Sequence, residues 1–238
     1  MRNAVRMRVK PTRHGLRFSQ HGVVISELRV RPGPTHSVFD VLAALLVVLR
    51  PGGRAGLLGF AGGGMLAPLS ALEYRGPLHA VDLDRASYDA FCQHCPHWRA
   101  RVQWTQADAG DWLRRQRGHF DLLLDDLSVP HEGDVVKPDL CWTELPGLIR
   151  RRLRPGGAAV FNLLPPAPGG WAAAGARIQR CFATARMIHL DQFENRILVA
   201  GELLPSAREL SVALRGSLRQ IGSRQAGRLR VRSLPRLR

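Results

Sequence analysis

From residue 38 to residue 201, short apolar runs alternate with amphipathic stretches. "VFDVLAALLVVL" (38–49) follows Ser37, which with Asp40 has the spacing of a helix capping box, and Pro51-Gly52-Gly53 ends the helix it predicts. "AGLLGF" (55–60), "LHAVDLD" (78–84), "RVQWTQ" (101–106), "FDLLLDD" (120–126) and "AAVFNLL" (158–164) predict strands. Helices are predicted between them over 65–73, 85–94, 109–116, 140–153 and near 171–182. The fourth strand is apolar almost throughout, as a parallel strand covered on both faces should be. This alternation predicts an α/β fold with a doubly wound, mainly parallel sheet.

Two hairpins flank that pattern. "GLRFSQHGVVISELRV" (15–30) alternates partially around His21-Gly22, and 186–201 reads as two antiparallel strands turning at 192–195. After Ser206, Leu210, Leu214, Leu218 and Ile221 recur at helical spacing opposite Arg208, Arg215 and Arg219. "RLRVRSLPRLR" closes the chain and is expected to be flexible. The expected organisation is a basic N-terminal segment with a β-hairpin (1–35), a nucleoside-binding domain (36–204) and a basic tail (205–238).

The formal charge of +16 divides unevenly, with net +7 on residues 1–31, net +8 on 205–238 and only +1 between them. Basic ends suit a nucleic acid or an anionic membrane surface, although the C-terminal helix can equally dock on the domain. No apolar stretch approaches the roughly 20 residues of a membrane span, and the first residues have no secretion signal, so a cytoplasmic protein is expected. Of four cysteines, Cys92 and Cys95 lie in "CQHCPH" without a second ligand pair, so reduced thiols and no metal are expected.

The chemistry concentrates in two acids and a glycine loop. Gly59-Phe60-Ala61-Gly62-Gly63-Gly64 follows the first parallel strand, and Asp82 ends the second, 20 positions after Gly62. A bare backbone with an acid at that distance suits a nucleoside-containing ligand. Gly62 to Ala67 also satisfies the dinucleotide fingerprint G-x-G-x-x-A, which points to NAD. A tight turn without a ligand is the plainer alternative. Of Asp125 and Asp126, successive strand positions face opposite ways, so one is expected to enter the crevice, and Asp126 is the candidate, with capping of the following loop through backbone N–H groups as its plainer alternative.

The glycine loop, Asp82, "QADAGDWL" (106–113), "FDLLLDDLSVP" (120–130) and "LRPGGAAVFNLL" (153–164) stand in the order seen in class I S-adenosylmethionine-dependent methyltransferases. Within that superfamily the chain most resembles spermidine synthases, over roughly residues 14–201 and including the leading hairpin. The resemblance implies a Rossmann-like methyltransferase fold that binds S-adenosylmethionine or its decarboxylated form. It assigns Asp82 to the ribose, Leu83 to the adenine face, and Asp108, beside Ala109, to the adenine amino group. The loop from Gly59 to Gly64 would run beside the methionine-derived part, and Asp126 would be the catalytic proton acceptor. A homodimer is the assembly it suggests.

The acceptor side departs from that family. Its Asp-Ser-Ser-Asp-Pro motif is Asp126-Leu127-Ser128-Val129-Pro130 here, so the second carboxylate is lost. An Asp of the family's loop is Gly62, a glutamine is Ile25 and a tyrosine falls near Val38. A cationic diamine loses several charge-assisted contacts by these changes, each about 1.5–3 kcal/mol. Methyl transfer to an unknown acceptor is therefore expected, ahead of aminopropyl transfer to a non-standard amine. A non-catalytic nucleoside- or nucleic-acid-binding protein working through its basic ends is the alternative from another class. His131, Glu132 and Asp134 are expected on the loop after Asp126, where they could touch an acceptor, though a solvated loop explains them equally well.

Overall fold

The computed structural model describes residues 8–235 apart from His21, Ala100 and Pro166. The centre of the expected first hairpin turn and the outermost parts of both basic ends thus lie outside the described residues.

The chain opens with a three-stranded antiparallel sheet, β1 (Arg8–Thr12), β2 (Gly15–Gln20) and β3 (Val23–Arg29), one strand more than the expected hairpin. A βα succession follows: α1 (Val38–Leu49), β4 (Ala55–Leu58), α2 (Leu66–Ala71), β5 (Leu78–Asp82), α3 (Arg85–His94) and the short α4 (Pro96–Arg99). It continues through β6 (Gln103–Gln106), α5 (Ala109–Arg115) and β7 (Phe120–Asp125). A small hairpin, β8 (Val129–His131) and β9 (Asp134–Val136), precedes α6 (Leu145–Arg152), β10 (Leu153–Leu163) and α7 (Gly170–Gln179). The chain closes with β11 (Thr184–Leu190), β12 (Arg196–Gly201), α8 (Ala207–Gln220) and β13 (Leu229–Ser233).

Eight strands form the main sheet in the order β13-β11-β12-β10-β7-β4-β5-β6. Strands β10, β7, β4, β5 and β6 run parallel, while β12, β11 and β13 are antiparallel additions at one edge. After β4 the chain builds outward through β5 and β6, then returns to place β7 on β4's other side. The order therefore reverses between β4 and β7, and their C-terminal ends open a crevice of the kind that binds ligands. Apolar side chains of α1, α2, α3 and α8 cover one face of the sheet. Those of α5, α6 and α7 cover the other.

Four local expectations change. The stretch 140–153 is a short 3-10 helix over Asp139–Trp142 followed by α6, because Pro146 suits a helix's first turn better than its interior. Leu153 already pairs with Phe120, so β10 begins early and bulges at Arg154–Gly157 before its register resumes at Ala158. Asp40 does not complete a capping box with Ser37. Ser37 accepts from Phe39 N, while Asp40 is buried and receives Thr35 N, His36 N and the Ser223 hydroxyl. Finally, the closing segment expected to be flexible forms β13, paired with β11 over five positions.

Helix α8 does carry a full capping box, with Ser206 accepting from Glu209 N and Glu209 accepting from Ser206 N. Its leucines Leu210, Leu214 and Leu218 are fully buried with α1 in the same core. The amphipathic helix thus uses its apolar face for docking on the domain. No described helix is long and apolar enough to cross a membrane.

Candidate active site

The crevice at the ends of β4, β5 and β7 brings together the glycine loop, Asp82 and Asp126. The loop folds back on Asp82, whose Oδ2 accepts from Phe60 N at 2.8 Å and from Ala61 N at 2.9 Å. Its Oδ1 accepts from Asp84 N at 3.1 Å. Ala61 sits at φ +46°, a left-handed conformation that costs a non-glycine residue about 1–2 kcal/mol. The Asp82 carboxylate holds this conformation in place.

The glycines meet mainly protein. Gly59 (φ +88°) crosses the main chain of Asp126, whose carbonyl oxygen would stand 2.7 Å from an added Cβ. A Cβ on Gly62 would lie 2.7 Å from the ring of Phe18, and one on Gly64 would lie 2.7 Å from Ser26 Oγ. Phe60, Gly62, Gly63 and Gly64 are buried, with Phe60 packed edge-on against Tyr88 and Phe91. Only Gly59 and Ala61 of the loop are partly exposed. The N-terminal sheet, through Phe18 and Ser26, therefore seals the far side of the loop.

Next to Asp82, at the mouth of the crevice, the Leu83 side chain is 64% exposed. Gln106 Nε2 donates to the Leu83 carbonyl, and Ala107 N donates to that of Asp82, so the ends of β5 and β6 are joined there. Asp108 caps α5 by accepting from Asp111 N at 3.0 Å and remains exposed, while Ala109 is buried behind it.

At the end of β7 the two acids part company. Asp125 is fully buried, with Oδ1 2.8 Å from Lys137 Nζ, and also receives Leu127 N and the Cys141 thiol. Lys137 Nζ donates as well to the Leu127 carbonyl at 2.9 Å. Burial works against the charge of Lys137, yet the Asp125 carboxylate holds its pKa above the ordinary value. Asp126 turns instead toward Asn162 on β10, whose Nδ2 donates to Asp126 Oδ1 at 2.7 Å. Asn195, before β12, donates in turn to Asn162 Oδ1 at 2.9 Å. Burial pushes the Asp126 carboxyl up to about 6, more than the Asn162 hydrogen bond and nearby Lys137 lower it.

The remaining acceptor-side positions are apolar or peripheral. Val129 lies on β8, partly exposed, Ile25 packs against the core from β3, and Val38 opens α1. His131 and Asp134 pair across the β8–β9 hairpin, whose turn residues Glu132 and Gly133 both have positive φ. In "CQHCPH", Cys95 is buried and His97 Nε2 bonds the Val30 carbonyl, and no described cluster of His, Cys, Asp and Glu is arranged to hold a metal. Sequence reasoning missed Asn162, Asn195 and Lys137. Asn162 had a signal, as the one polar residue within the apolar run 158–164.

No family model matches the chain, and no curated protein does. Solved structures do. A probable spermidine synthase from Corynebacterium glutamicum superposes with a TM-score of 0.72 at 16% identity, over 96% of this chain and 87% of that one. A spermidine synthase in complex with the transition-state analogue AdoDATO gives 0.65 at 15% identity, over 94% and 77%. Human methyltransferase-like protein 13 in complex with SAH gives 0.58 at 19% identity, over 78% and 91%. The chain thus has the spermidine synthase-like form of the class I methyltransferase fold.

Proposed function

We propose that this protein is an S-adenosylmethionine-dependent transferase that moves a methyl group rather than an aminopropyl group. The observation that carries the reading is the meeting of Asp82, Leu83 and Asp126 at the crevice where the strand order reverses. Asp82 keeps carboxylate lone pairs beyond its main-chain bonds for ribose hydroxyls. Exposed Leu83 offers a face to adenine, and exposed Asp108 can accept from the adenine amino group. These residues fit the nucleoside half of the donor, which is also the part common to SAH and AdoDATO in the similar structures. The methionine-derived part would lie along Gly59 and Ala61, the partly exposed stretch of the loop.

A bound donor supplies a sulfonium-activated carbon, so the chain's task is alignment. Asp126, with a pKa of about 6, is mainly ionised at pH 7 to 8 and can accept a proton from an attacking acceptor at its free carboxylate oxygen. Asn162 fixes its other oxygen. Methyl transfer is favoured because the polar groups that would hold a diamine have given way to Val129, Ile25 and the Phe18-covered Gly62.

Calorimetric titration with S-adenosylmethionine, its decarboxylated form, methylthioadenosine and NAD tests the reading. Tighter binding of the carboxylated donor is expected. Preference for the decarboxylated donor would redirect the proposal to aminopropyl transfer, and binding of NAD alone would overturn it.

A further inference from the structure

The N-terminal sheet segregates its side chains by strand alternation. Val9, Leu16, Phe18, Ser26 and Leu28 point inward, where Phe18 and Ser26 meet the glycine loop. The opposite face carries Arg8, Lys10, Arg17 and Arg29, placed together by the pairings Lys10↔Arg17, Arg17↔Glu27 and Gly15↔Arg29. Arg8, Lys10 and Arg17 are exposed, and Arg29 is half-buried. Arg13 is exposed in the β1–β2 turn. Glu27 is the one acid on these strands, 2.6 Å from Arg17.

Some other arginines of this chain have acidic partners, whereas exposed Arg208, Arg219 and Arg224 form none of the described ion pairs. Arg85 pairs with Asp89, Arg114 with Asp111 and Glu144, Arg154 with Asp121, and Arg230 with Asp191. On the outer face of this sheet four cations meet one acid, Glu27, which is paired with Arg17. Alternate residues of a strand repeat about every 6.7 Å, close to the separation of successive phosphates along an extended single strand. We infer that the outer face of the β1–β3 sheet docks single-stranded nucleic acid through its polyphosphate backbone. The inference goes beyond the transferase reading: it concerns binding without donor and can fail while that reading stands.

The test is fluorescence anisotropy of a labelled 20-nucleotide oligouridylate with the full chain at several salt concentrations. The triple variant Arg8→Ser, Lys10→Ser, Arg17→Ser is expected to weaken binding at least tenfold at 0.1 M salt. It should also flatten the dependence of log affinity on log salt by roughly 2, since each single-strand phosphate contact contributes about 0.7. Arg208→Ser, Arg219→Ser, Arg224→Ser removes three exposed cations from the C-terminal segment and should change affinity less than twofold. Replacing Arg8 and Arg17 by Lys should preserve binding, which separates lost charge from lost folding. Equal weakening by both triple variants, no binding by the unaltered chain at 0.1 M salt, or binding to anionic vesicles in place of the oligonucleotide would overturn the inference.

Discussion

Asn162 holds one oxygen of Asp126 at 2.7 Å while burial raises the same carboxyl to about 6. The two effects oppose each other, and burial prevails. A folded-state pKa above the ordinary 3.8 means that protonation stabilises the fold. That contribution is full below about pH 4 and is lost as pH rises through about 6, a difference of about 3 kcal/mol. Asp126→Asn cannot titrate. Its unfolding free energy relative to the unaltered chain should therefore rise by up to about 3 kcal/mol between pH 4 and pH 7, and a flat difference in urea melts would contradict the assignment.

Leu83 separates binding from stability. Because its side chain is largely exposed, Leu83→Ala should alter unfolding by no more than about 0.5 kcal/mol. If adenine packs on it, the same substitution should weaken S-adenosylmethionine binding about tenfold, or about 1.4 kcal/mol. Calorimetry and thermal melts on one preparation check both halves.

Gly62 and Phe18 form a packed pair. Gly62→Ala drives a methyl group into the Phe18 ring and should cost about 1–3 kcal/mol. Phe18→Ala should cost about 3–5 kcal/mol by opening a cavity. Since the cavity receives the new methyl group, the double variant should be more stable than the sum predicts, a coupling that a double-mutant cycle measures directly.

Lys137 and Asp125 form a buried ion pair, so removal of one partner strands the other. Lys137→Met should destabilise by about 3–5 kcal/mol, and adding Asp125→Asn should recover much of that loss. Equal denaturation midpoints for the two variants would count against the pairing.

Helix α8 belongs to the core rather than to a detachable tail. Leu214→Ala should cost about 2–5 kcal/mol, whereas Arg219→Ala on the exposed face should stay within about 0.5 kcal/mol.

The parallel strands and most of the helices were legible because each announces itself locally. The hydrophobic period separates β7 from α8, and glycine and proline mark where segments stop. Asp82 and Asp126 were legible for a related reason, since an acid at the end of an apolar run stands where a parallel strand delivers it to the crevice. The hairpin β8–β9 was not, because its strands have three residues each and its turn, Glu132-Gly133, lacks the usual asparagine or aspartate. Strand β13 escaped too, since "LRVRS" becomes a strand only when β11 offers it an edge.

By itself, then, the sequence determined the α/β succession, the charge at its ends and the acids that reach the crevice, all consequences of short-range pattern. Only the tertiary structure decided what surrounds them. Phe18 lies 44 residues before Gly62, and Asn162 lies 36 residues after Asp126. Whether a glycine faces a ring or a ligand, and whether a carboxylate is buried or solvated, depends on contacts between distant segments. The strand order and the packing of the N-terminal sheet on the glycine loop create those contacts, and no local pattern encodes them.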